Sequence, residues 1–209
     1  MKKIYFLQIF VCMLLLSSCA TVYKSPDLKA RAPKHKEIAF IPFDAVIQLK
    51  KLPKGVSAEQ VKQMEADMGL VFQEQMYTRF LKKQKKYNVQ IQDVAMTNAI
   101  LRKNNVTVEN IHQFTKEELA HMLDVYAVVS GKVLTSRPMS NGGAIAIAAL
   151  TGISTSTNKV DINVSLHDGL DSKLLFKYDH SFRGGLGSDP ESISKALMKD
   201  LSKKFPYKI

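Results

Sequence analysis

Between residues 57 and 86 apolar side chains recur every three or four positions: Val61, Met64, Met68, Val71, Phe72, Met76, Phe80 and Leu81. That spacing predicts a long amphipathic helix, with the methionines as core filler. Ser57-Ala58-Glu59-Gln60 has the form of a capping box at its start, and Lys82-Lys83-Gln84-Lys85-Lys86 places cations at its negative end. The period changes to two at Val160, Ile162, Val164 and Leu166, which alternate with Asp161, Asn163, Ser165 and His167, and again at Leu174, Phe176, Tyr178 and Phe182. Two half-exposed strands joined across Asp168-Gly169 predict an antiparallel hairpin. The apolar run Ile38 to Phe43 predicts a buried strand with Pro42 near its end, and Val125 to Leu134 predicts a central one. A short strand is expected at Asn88 to Gln92 and a short helix around Ala95, Ala99, Ile100 and Arg102. Thr115-Lys116-Glu117-Glu118 caps a helix through Leu119, Met122 and Leu123. Asp189-Pro190-Glu191 opens the last one, continued by Ile193, Leu197, Leu201 and Phe205 and stopped by Pro206. The order predicts an α/β (α+β) fold: a mixed sheet with helices packed on it, a carboxy-terminal antiparallel hairpin and an apolar insert loop, in one globular domain over residues 37–209.

The amino terminus follows neither period. Lys2 and Lys3 precede Ile4 to Leu16, an apolar run broken only by Gln8, and Ser17 and Ser18 follow. This is the layout of a secretory signal peptide, residues 1–18. A helix of thirteen residues spans about 20 Å against a hydrocarbon core of about 30 Å, too short for a good membrane span. A buried amino-terminal helix is the competing reading, but such helices carry polar positions at helical spacing. Leu16-Ser17-Ser18-Cys19 resembles the lipobox of bacterial lipoproteins. The resemblance implies a thioether-linked diacylglycerol on Cys19, cleavage before it, and a further acyl chain such as palmitate; two chains already anchor a protein stably. Ala20, not Asp, follows the cysteine, which favours the outer membrane, with the domain facing the periplasm. Residues 19–36, with Pro26, Pro33 and many polar groups, read as the lipidated cysteine and a tether.

The chain has two cysteines. Cys12 leaves with the signal and Cys19 is acylated, so the mature chain holds no thiol for a disulfide, a zinc site or a nucleophile. The formal charge is +11, and removal of Lys2 and Lys3 lowers it by two. Lysines cluster at 24, 29, 34 and 36 around Arg31, at 50, 51 and 54, at 82, 83, 85 and 86, and at 199, 203, 204 and 208. In an exported chain this balance points away from nucleic acid and toward anionic lipid heads or an acidic envelope polymer. A solvated lysine surface is the plainer account.

The strand ending in Pro42-Phe43, the long helix, "ELAHMLDVYAVVSGKV" (Glu118 to Val133) and "VDINVSLHDGLDSKLLFKYDHSF" together resemble envelope lipoproteins related to the curli secretion protein CsgG and the penicillin-binding-protein activator LpoB. Their shared core is similar to the TolB amino-terminal domain. Phe205-Pro206-Tyr207 after the last helix is similar to the ending of Bacteroidetes-type lipoproteins. The resemblance spans roughly residues 37–205 and implies assembly, secretion or regulation rather than catalysis. It carries no catalytic residues over.

Residues 136–158, SRPMSNGGAIAIAALTGISTSTN, hold no carboxylate, and Arg137 is their only charge. Ala144, Ile145, Ala146, Ile147, Leu150 and Ile153 are candidates for a membrane or oligomer contact, because exposed apolar surface marks contact sites. A flexible surface loop and a CsgG-like pore hairpin are the alternatives. The alternation from Ala144 to Ala148 offers no polar face to a channel. Gly142-Gly143 lacks the rest of a phosphate loop. Gly184-Gly185-Leu186-Gly187 precedes a helix start, but Asp189 and Glu191 would repel an anion there. The histidines, His35, His112, His121, His167 and His180, form no close metal-ligand pair in sequence. The expectation is a non-enzymatic protein with no cofactor, no metal and no small-molecule substrate, working through a protein partner or as a homo-oligomer. A pore subunit and a hydrolase acting on wall or lipid are the other classes.

Overall fold

The computed structural model describes residues 20–49, 52, 55–136, 159–183 and 190–209. Its strands are β1 (Ala20–Lys24), β2 (Glu37–Phe40), β3 (Asp44–Gln48), β4 (Gln90–Ile91), β5 (Ala127–Ser136), β6 (Lys159–Asp168) and β7 (Leu174–Arg183). Its α-helices are α1 (Leu28–Arg31), α2 (Ala58–Leu81), α3 (Val94–Lys103), α4 (Lys116–Leu123) and α5 (Pro190–Lys204). One mixed sheet runs β1-β7-β6-β5-β2-β4, with β3 also on β5. The predicted hairpin forms with Val164 opposite Tyr178 and Leu166 opposite Phe176. Both predicted capping boxes are made: Ser57 with Gln60, and Thr115 with Glu118. No helix among the described residues is long and apolar enough to cross a membrane.

Helices cover the sheet on both sides. One face packs on α2 and α5, where Phe72, Met76 and Phe80 meet Leu197, Leu201 and Phe205 over Phe40, Val129, Val164 and Phe176. The other face carries α3 and α4 only over β2 and the start of β5, where Leu101, Leu119 and Leu123 bury Ala39, Ile41 and Val128. The stripe on α2 runs through Met64, Gly69, Phe72, Met76 and Phe80, while Val71 and Leu81 of the predicted stripe are exposed.

The expected strand at Ile38 to Phe43 is interrupted. Ile38 to Phe40 pair with Ala127 to Val129, and Asp44 to Gln48 pair with Lys132 to Ser136, both parallel. Between them Pro42 offers no N–H, and Phe43 N turns out of the ladder to donate to Gly69 O at 3.3 Å. The Phe43 ring enters the core beside Phe72. The carbonyl of Phe40, left by the break, accepts from Gln73 Nε2 at 2.7 Å, and Gln73 and Asn98 exchange amide hydrogen bonds at 3.0 Å. A fully buried glutamine on an apolar helix face is thus satisfied at the point where the ladder fails.

Residues 20–36 are not a tether. Ala20–Lys24 add β1 to the sheet edge, antiparallel to β7, with Val22 opposite Tyr178. Ser25 N then donates to Leu175 O at 2.8 Å, and α1 with the following 3-10 turn (Ala32–Lys34) crosses beneath the sheet to β2. Leu28 and Ala32 are buried in the main core. The segment is polar in composition, but two buried apolar side chains, the free edge of β7 and the contacts of Arg31 and His35 with the β6–β7 turn hold it down.

Candidate functional site

The topology gives the sheet two unlike ends. At one, Ser136 faces both Lys159 and Gln48, Lys159 faces Arg183, and Ala20 faces His180. The chain therefore enters the described fold, one residue after Cys19, at the end of the sheet bounding residues 137–158. Cys19 itself, and Ala144, Ile145, Ala146, Ile147, Leu150 and Ile153, lie outside the described residues. So do Gly184 to Gly187 and the expected cap Asp189.

The opposite end is built by the crossing segment, the β6–β7 turn and the residues after α5. Here His35, 6% exposed, stands between two buried partners. Its Nδ1 lies 2.5 Å from the Tyr207 hydroxyl, and its Nε2 lies 3.4 Å from Asp168 Oδ2. Arg31 grips Asp171 through two bonds of 2.9 Å, and its Nη1 stands 3.2 Å from Asp168 Oδ2. Asp168 Oδ1 accepts from Leu170 N at 2.9 Å, the Asx turn that starts the hairpin connection. Its Oδ2 has the Arg31 guanidinium and the His35 ring as neighbours but no aligned hydrogen bond.

Burial pushes the Tyr207 hydroxyl far above its usual range, and the Asp168 charge adds to this. The phenol therefore stays protonated and donates to His35 Nδ1; by this hydrogen-bond assignment the imidazole proton sits on Nε2, facing Asp168. Burial lowers the His35 pKa, against the pull of Asp168. A Tyr–His–Asp chain has the order of a nucleophile, base and orienter. Here the would-be nucleophile belongs to a residue 4% exposed and the carboxylate to one 1% exposed. The arrangement ties three segments together: His35 and Tyr207 are 172 residues apart.

A cleft of about 700 Å³ opens beside the network, lined by Arg31, Lys34, His121, Asp124, Tyr126 and Leu170 among others. Its charges are mixed, and Leu170 at the rim is 79% exposed. Among the described residues no group of three or more His, Cys, Asp or Glu side chains is placed to hold a metal ion. This end is built from residues that were not singled out from the sequence as contact candidates. Its members gave little signal beforehand, apart from Asp168 in an Asp-Gly turn.

No family model and no curated protein matches the chain. Among solved structures it is similar to lipoprotein GNA1162 from Neisseria meningitidis, at 14% identity and a TM-score of 0.48, covering 81% of this chain and 96% of that one. It is also similar to PelC from Paraburkholderia phytofirmans, solved as a dodecamer, at 11% identity and a TM-score of 0.39, covering 91% and 98%. The LpoB carboxy-terminal domain from Salmonella enterica aligns at 7% identity and a TM-score of 0.35, covering 71% and 82%. Likenesses of this order assign neither a family nor an activity to the chain.

Proposed function

We propose that this chain is a lipid-anchored envelope protein, held through acylated Cys19 in the outer membrane and facing the periplasm. Its domain binds or assembles an envelope partner complex and performs no catalysis. One observation carries the reading: the lipobox Leu16 to Cys19 is followed, with no intervening spacer, by a strand already paired into the sheet. A lipid on that cysteine would hold the folded body directly at the bilayer surface, where a partner in the same membrane or the wall is within reach. Labelled palmitate should enter the wild-type protein and not Cys19→Ser, and cross-linking in membranes should give a complex larger than the monomer. An unlabelled wild-type protein, or a cross-linked sample that stays monomeric with no partner, refutes the reading.

A subunit of a CsgG-like secretion pore is the second reading. It is favoured by the β5–β6 register, which keeps the two strands paired to Ser136 and Lys159, on either side of residues 137–158. Liposome conductance that disappears on deletion of residues 144–150 would establish it, and silent bilayers at high protein density would dismiss it.

A further inference from the structure

Three of the lysine clusters, far apart in the chain, converge at the crossing end of the sheet. α2 runs out into Lys82 to Lys86, α5 into Lys203, Lys204 and Lys208, and the crossing segment brings Lys24 and Lys29. Hydrogen bonds knit them together: in the backbone Asn88 N donates to Tyr207 O at 2.8 Å and Ile209 N to Lys86 O at 3.0 Å, and between side chains Lys83 Nζ donates to Ser202 Oγ at 3.0 Å. Between α1 and the residues after α5 lies a cleft of about 620 Å³, whose walls carry Lys24, Lys29, Lys203, Lys204 and Lys208. Its floor is apolar, made by Leu28, Ala32, Phe205 and Tyr207, all buried.

No aspartate or glutamate side chain lines this cleft. Lys204 pairs with Asp200 at 2.6 Å. Lys24, Lys29, Lys203 and Lys208 have no carboxylate side chain within ion-pair distance among the described residues. The carboxylates of this end are engaged on the other side of α1, where Asp27 meets Lys173 and Arg31, and Asp171 meets Arg31. Helix polarity accounts for Lys203 and Lys204 in the last turn of α5. It does not account for Lys24 in a strand or Lys208 beyond the helix. Four ammonium groups with no carboxylate side chain as partner among the described residues stand around one concavity, and their summed field attracts anions.

We propose that this cleft binds a phosphate-bearing polymer. All five cations are lysines, compact point charges that can each meet a phosphate from any direction. Such a set suits successive tetrahedral phosphates along a chain, and the apolar floor takes the uncharged part of the repeat. The direction in which the cleft faces rests on the anchor reading above; the binding does not. With Cys19 acylated, the anchor and Lys24 on the cleft wall are separated by the length of β1, about 17 Å. The cleft then lies at the end of β1 away from the anchor, which turns it outward from the anchoring bilayer.

The test titrates labelled linear polyphosphate against the full-length protein in detergent, read by fluorescence anisotropy. Binding should be saturable and weakened about tenfold or more in Lys29→Gln/Lys203→Gln/Lys208→Gln. It should change less than about twofold in Lys62→Gln/Lys103→Gln/Lys195→Gln, which removes the same charge from exposed positions elsewhere. Absent binding, or equal weakening in the two variants, overturns the proposal. Polyglutamate of equal length binding as tightly overturns the phosphate assignment. Protein reconstituted in phosphatidylglycerol vesicles should bind polyphosphate as it does in detergent. Loss confined to the vesicles overturns the outward orientation and leaves the cleft chemistry standing.

Discussion

A Cβ placed on Gly131 would sit 2.0 Å from the Phe43 ring, and one placed on Gly69 would sit 2.1 Å from the Phe43 carbonyl oxygen. Both glycines are required by close approach, because Phe43 swings inward where the β2–β3 edge breaks. Gly131→Ala should cost about 1–3 kcal/mol of stability by overpacking, read as a lower urea midpoint. Phe43→Leu in the same chain should recover part of that loss, and strictly additive effects would show that the ring and the glycine are not coupled. His167 belongs to the same scale. Its Nδ1 is buried without a hydrogen-bond partner, and burial, with the Lys116 charge adding to it, pushes the pKa down to about 4. The unfolded value is about 6.5. Above that pH both states are neutral and the stability is fully present. As pH falls toward 4 the unfolded chain takes up a proton that the folded one refuses, so stability declines through this window. His35 and His180 are lowered in the same direction, first by burial. Asp27, Asp171 and Asp200 are held below their usual range, so their contribution is lost at still lower pH. The urea midpoint should therefore drop between about pH 6.5 and 4, and His167→Gln should make that slope shallower.

At the scale of elements, α1 and β1 decide how tightly the amino-terminal segment is held. Alone, α1 has four residues, far below the length at which a helix persists in water. It stays folded because Leu28 and Ala32 are buried and because Arg31 and His35 reach the β6–β7 turn. Leu28→Ala should cost about 2–4 kcal/mol and open Lys29, Arg31 and Lys34 to trypsin under native conditions. Unchanged cleavage at those sites would mean that the segment is held by the ion pairs alone. Much of this scale was legible beforehand. The long helix, its capping box and the β6–β7 hairpin all follow from spacing and turn residues within one segment. β1 and β3 were missed, because five residues of mixed polarity carry no periodic signal of their own. Their strand state is set by the open edges of β7 and β5.

For the whole molecule, the separation of the two ends is the property with consequences. One end receives the chain from Cys19 and bounds residues 137–158; the other gathers the buried His35 network and the lysine cleft. With the proposed cleavage and lipidation at Cys19 the mature chain would have no free thiol, so a single introduced cysteine would report one position. Bimane placed at Ser181→Cys should be quenched by doxyl-labelled lipids more than bimane at Lys36→Cys. Equal or reversed quenching would show that the sheet does not stand with its Ala20 end toward the bilayer. The four lysine clusters were visible as clusters, yet only the fold tells which of them share a surface. The clusters that follow α2 and α5 lie at the ends of helices that both finish where the crossing segment passes.

Read alone, the chain determined its helices, its hairpin, its α/β class and the address motif around Cys19. Those are encoded by side chains a few positions apart, whose periodicity and capping chemistry act before any distant contact forms. The tertiary structure decided the folded state of residues 20–36, the break at Pro42, the Tyr207–His35–Asp168 chain and the convergence of the lysines. Each of these depends on groups from separate segments meeting in space, with burial of Leu28, Phe43 and Tyr207 outweighing the conformational entropy lost on ordering them. That balance is struck between segments, so no single stretch of sequence displays it.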